Sequence, residues 1–93
     1  MTAEKILEVI GIYRDFFRRE GIDLIDYPHE EILYNDRIGL AHCHGMLDKM
    51  VIFVEEGCLE KAQRWIGFIQ GCLWMSHRFT LEALNDHSRP TES

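Results

Sequence analysis

The sequence predicts an all-α protein, a three-helix up-down bundle with a short C-terminal helix. Three observations predict it. Apolar residues recur at helical spacing through three long segments. Glycines stand where the first two of those segments end, at Gly21 and Gly57. Only two prolines occur in 93 residues, at positions 28 and 90. A hydrophobic fraction of 46% and a charged fraction of 28% lie in the ordinary globular range. A chain of this length supports one modest core, so a single helical domain over residues 1–93 is expected. About residues 89–93 should form a frayed tail.

Thr2 is a suitable N-cap for the first helix, with Glu4 in the first turn where negative charge is favoured. Ala3, Ile6, Val9, Ile10, Tyr13, Phe16 and Phe17 follow on one face, and Gly21 supplies the left-handed stop. Residues 22–35 carry no clear period. Ile22, Leu24 and Ile25 suit an extended path against the bundle. Pro28 suits the first turn of a short helix, and a structureless connection of this length is unusual. A helical piece around Glu30–Tyr34 is therefore expected.

The second long helix should run from about Asp36 to Glu56, with Leu40, Cys43, Met46, Leu47, Met50, Val51, Phe53 and Val54 facing the core. Gly57 then makes a tight helix 2–helix 3 hairpin. Antiparallel pairing about it joins residues whose numbers sum to about 115. Met50 then meets Trp65, Leu47 meets Phe68, and Cys43 meets Cys72.

The third helix, Leu59 to Met75, has a core stripe of Leu59, Ala62, Trp65, Ile66, Ile69, Cys72 and Leu73. Its second half also carries Gly67, Phe68, Gly71, Trp74 and Met75 on the other side. A helix apolar all round is covered on more than one face, so this helix is expected to be the central element. After a turn through Ser76–Phe79, Thr80 caps a last helix from Leu81 to about Asp86, with Leu81 and Leu84 folding back.

The formal charge of −6 disfavours a nucleic-acid backbone or an anionic membrane as partner. No N-terminal signal region and no apolar run long enough to cross a membrane is visible. Three cysteines without C-x-x-C spacing fit a cytoplasmic protein with reduced thiols.

The run Glu60–Trp74, EKAQRWIGFIQGCLW, and the later Asp86-His87-Ser88-Arg89 resemble the C-terminal half of a group of small phage and prophage proteins. These share E-K-A-x-R-W-(I/L)-G-F-x-Q-G-x-L-W and a D-(H/N)-x-R segment. The resemblance covers about residues 36–90, and the first helix adds little to it. It implies a helical accessory protein carried on mobile elements, and it implies no activity. The chain departs from the pattern at His42–Met46, so no site carries over there.

His42-Cys43-His44 is the most tempting chemical cluster. Neighbours on a helix point about 100° apart, so the three cannot share one metal. His44 and Asp48, at i and i+4, are weak metal candidates; the ordinary reading is a surface pair, with His42 bordering the core near Met46. No cofactor is expected. Cys43 facing Cys72 reads either as a redox pair or as two small apolar core residues, with no lysine, arginine or helix N-terminus to favour a thiolate. Arg64, Gln70, Asp86, His87 and Arg89 could form a polar cluster at one end. No nucleophile stands beside a base, and Ser76-His77 are only sequence neighbours, so no enzyme is expected.

Two glycines in a helix interior cost about 1 kcal/mol each relative to alanine. Gly67 and Gly71 therefore imply close approach, either within the chain or between subunits. The preferred reading is a non-enzymatic protein–protein interaction module, a homodimer through Gly67, Phe68, Gly71, Trp74 and Met75, binding a host or phage protein. The alternatives are a DNA-associated helix-turn-helix-like regulator using Thr80–Arg89, and a small metal or thiol sensor.

Overall fold

A computed structural model describes residues 1–90. Those residues form four α-helices: α1 Ala3–Arg19, α2 Asp36–Glu55, α3 Leu59–Met75 and α4 Leu81–Ser88, with no strand among them. Arg89 ends α4, its N–H donating to the Asp86 carbonyl at 3.3 Å. The rest of the expected tail, 91–93, lies outside the described residues.

The ends of the helices follow local chemistry. Thr2, Asn35 and Thr80 are N-caps whose side-chain oxygens accept from the backbone N–H of Lys5, Ile38 and Ala83 at 3.1, 2.9 and 3.1 Å. The first three helices all close with a Schellman pair of hydrogen bonds. At the end of α1, Ile22 N–H reaches Phe17 O at 2.9 Å and Gly21 N–H reaches Arg18 O at 3.1 Å. Ile22 and Phe17 are both buried, which adds the usual apolar contact of that motif. The same pattern recurs at Gly57 and, unexpectedly, at His77, whose φ of 66° matches that of Gly21.

The core is one cluster. Ile6, Val9, Ile10, Tyr13 and Phe17 of α1 meet Leu40, Cys43, Leu47 and Met50 of α2 and Ala62, Ile66, Ile69 and Leu73 of α3. The central helix is α2, not α3. It packs extensively on both α1 and α3, whose mutual contact is smaller, while α4 rests on α1. The hairpin register is close to expectation but slides at its base. Trp65 packs edge-on against Phe53, with ring centroids 4.8 Å apart, and Lys61 Nζ lies 4.4 Å over the Phe53 ring.

The expected helical piece at Glu30–Tyr34 is absent. Residues 22–35 run as an extended connection with turns near 29–31 and 34–35. The reason is that α2 satisfies this segment's backbone instead. Ile25 N–H donates to Ala41 O at 3.2 Å, Tyr27 N–H to His42 Nδ1 at 3.0 Å, and the His44 ring takes two carbonyls. Arg37 closes the start of the segment by donating to Gly21 O at 2.7 Å. Thus Ala41 and Gly45, on the side of α2 away from the other helices, are covered by the crossing chain.

Candidate functional site

The run His42-Cys43-His44-Gly45 sends its residues in four directions around α2. His44 Nδ1 lies 3.0 Å from Ile22 O and 3.2 Å from Asp23 O, and two carbonyl acceptors require that Nδ1 carry the proton. The ring also packs against Phe17, with centroids 5.3 Å apart. His44 and Asp48 are therefore neither a ligand pair nor a surface pair. His44 is buried, and Asp48 accepts from Arg14 of α1 at 2.7 Å.

On the opposite flank, His42 faces a cleft between the crossing segment, α2 and α3. Leu24, Ile25, Met46, Trp65 and Phe68 line its apolar part. Asp26, His29 and His42 stand together at its polar edge. Asp26 Oδ1 is 3.8 Å from His42 Nδ1 and 3.9 Å from His29 Nε2, and the rings of His29 and His42 are nearly perpendicular at 85°. Lys49 Nζ holds the other oxygen, Asp26 Oδ2, at 3.3 Å. Burial pushes His42 below its ordinary pKa, and the Asp26 charge partly offsets this.

Cys43 and Cys72 do meet across the hairpin, as the register required, but they are not equivalent. Cys43 is fully buried, whereas Cys72 is half-buried and lines a neighbouring part of the cleft with Leu33, Gly39 and Phe68. Their thiols are hydrogen-bonded, which pushes Cys72 down and, together with burial, Cys43 up. The group that favours a thiolate at Cys72 is neither a lysine, an arginine nor a helix N-terminus but the other cysteine.

The second surface is the outer side of α3. A β-carbon placed on Gly67 or Gly71 would have no atom within 4 Å beyond the helix itself. The glycines therefore do not serve close approach within the chain, and α4 does not cover them, because it packs on α1. Phe68, Trp74 and Met75 remain 55%, 47% and 69% exposed. Leu81 is exposed as well, and of the two leucines of α4 only Leu84 is buried.

At the far end, α4 is docked by a polar network that sequence reasoning half found. Gln70 Nε2 donates to Tyr13 Oη at 2.9 Å, Ser88 Oγ at 2.8 Å and the Leu84 carbonyl at 3.2 Å. Two N–H groups serve three acceptors, so one is shared. Tyr13 O–H is then free to donate to His87 Nδ1 at 3.0 Å. Gln70 and His87 come together here, Asp86 and Arg89 form a separate ion pair at 2.7 Å, and Arg64 is exposed on α3. The network leaves no orphan: among the described residues no buried side-chain nitrogen or oxygen lacks a partner. Nor do Ser76 and His77 make a nucleophile and base, since Ser76 Oγ donates to Leu73 O at 3.3 Å.

Sequence reasoning missed Asp26 and His29. The only signal was their spacing of three, which carries meaning once the segment is known to cross α2 beside His42. No family model, curated protein or solved structure matches the chain. Among the described residues no helix is long and apolar enough to cross a membrane.

Proposed function

We propose that the protein is a non-enzymatic helical interaction module that pairs with a second copy of itself through the outer side of α3. The observation that carries this reading is the open space over Gly67 and Gly71, flanked by the exposed Phe68, Trp74 and Met75. Exposed apolar patches of this kind mark interaction sites, and glycines at i and i+4 let a second helix come close. A two-fold axis midway between them puts Gly67 opposite Gly71 of the second copy, as an isologous contact requires. The same axis brings the exposed Arg64 over Trp74 of the second copy, a favourable cation–π pairing. Burying Trp74 in this way explains why a large apolar ring stands half in water within one chain.

The resemblance of this helix to phage and prophage proteins supports an accessory role, with a host or phage protein as further partner and a cytoplasmic setting. DNA binding is disfavoured by the charge of α4, where Glu82 and Asp86 are exposed and Arg89 is already paired with Asp86. The test is molar mass by light scattering for wild type and Gly71→Leu, with helicity followed by circular dichroism. A wild-type dimer that becomes a helical monomer in Gly71→Leu supports the reading. A wild type that stays monomeric at high concentration ends it.

A further inference from the structure

We propose that Asp26, His29 and His42 form a binding site for a divalent transition-metal ion of the zinc class, with at least one coordination position open to solvent. One ligand atom from each of the three lies within 4.8 Å of the other two. Zinc–nitrogen and zinc–oxygen bonds of about 2.0–2.2 Å in a tetrahedron put neighbouring ligand atoms about 3.3 Å apart. The 3.8 and 3.9 Å separations about Asp26 Oδ1 thus close by about half an ångström when an ion enters.

The parts are arranged for that movement. His42 is carried on α2, a rigid support, and the segment bearing Asp26 and His29 is pinned beside it by the Ile25–Ala41 hydrogen bond and the His44 ring. Pro28 limits the backbone between the two loop ligands. The perpendicular rings of His29 and His42 let both approach one point without stacking on each other. Lys49 occupies Oδ2 of Asp26 and leaves Oδ1 facing the imidazoles. His42 Nδ1 presents a lone pair, now taken by Tyr27 N–H, and binding through it exchanges one hydrogen bond for a coordination bond.

The donor set decides the class of ion. Two imidazole nitrogens with one carboxylate oxygen suit zinc, cobalt or nickel, whereas calcium and magnesium require more oxygens. Asp26 and His29 are both exposed, so the remaining positions fall to water or to a group from outside the chain. The site stands on residues separate from the glycine face of α3.

The experiment uses the full chain stripped with a chelator, then titrated with Co2+ as an optical probe and with Zn2+ by calorimetry. One ion per chain is expected, with cobalt absorption bands that zinc abolishes. His29→Ala and Asp26→Asn alter exposed side chains, so helicity should be unchanged, while zinc affinity should fall by at least about tenfold. Cys72→Ser should bind as wild type does. Failure of the wild type to take up either ion, full affinity in His29→Ala, or uptake lost in Cys72→Ser and kept in His29→Ala would each overturn the assignment.

Discussion

The carbonyl oxygen of Ile25 lies over Gly45 so closely that a β-carbon there would overlap it. This one contact explains how a segment without regular structure can seal the outer side of the central helix. Gly45→Ala should push the segment off α2 and destabilise the protein by about 1–3 kcal/mol, the usual range for overpacking. Gly11→Ala is the control, because nothing lies within 4 Å of its added methyl group. It should stabilise by about 0.5–1 kcal/mol through helix propensity. Urea midpoints of opposite sign are expected; a shared sign would mean that the Ile25 contact is not tight.

Stability should fall on acidification through His87. Burial pushes its pKa below the ordinary imidazole range, with Asp86 favouring protonation and Lys5 opposing it. Tyr13 from α1 and Phe79 from the preceding turn face the same ring. The folded pKa is depressed, so the unfolded chain binds the proton more readily. Stability is therefore greatest above the unfolded value and declines as pH drops through the two pKa values. Urea midpoints at about pH 7.5 and about pH 5.5 should differ more in the wild type than in His87→Phe. An equal difference in both would assign the acid sensitivity elsewhere.

The three thiols should react in a fixed order. Cys58 is exposed, Cys72 is half-buried with its thiolate favoured by Cys43, and Cys43 is fully buried. Disulfide-reagent labelling of native protein should be fast at Cys58, slower at Cys72 and blocked at Cys43. Cys43→Ala should slow Cys72 at neutral pH, because it removes the donor. Faster labelling of Cys72 in that variant would show that burial, not the hydrogen bond, governs the site.

His77 holds a backbone conformation that glycine adopts without strain, at the turn that closes α3. His77→Gly should stabilise by about 1 kcal/mol, the lower end of the left-handed cost for an L-residue. The ring is exposed, so little packing is lost. A thermal midpoint that falls in this variant would mean that the imidazole makes a contact worth more than the strain.

Local signals made most of the helical frame legible. The stripes of α1 and α3, the caps at Thr2 and Thr80, and the stops at Gly21 and Gly57 all depend on residues near one another in sequence. The rank of the helices was not legible in the same way. The second face of α2 is covered by the Ile25 region, so its small residues Ala41 and Gly45 do not look apolar, whereas α3 advertises large rings that stay exposed. The extended course of 22–35 was hidden because His42 and His44 stabilise it from a distant helix. The Asp26–His29–His42 grouping was hidden for the same reason.

The way α4 is attached gives the molecule two levels of cooperativity. Leu84 is its only buried residue, and the rest of its anchorage runs through the Tyr13–Gln70–Ser88 hydrogen bonds and the His87 ring. The hairpin of α2 and α3, with α1 across it, shares a continuous core to which α4 contributes only Leu84. The last helix can therefore lift as a separate unit while the other three stay folded. Its amide protons would exchange with solvent through that partial opening, far sooner than those at the centre of α2. Lifting would also uncover Tyr13, making a side chain near the start of the sequence a reporter on the fate of the last helix.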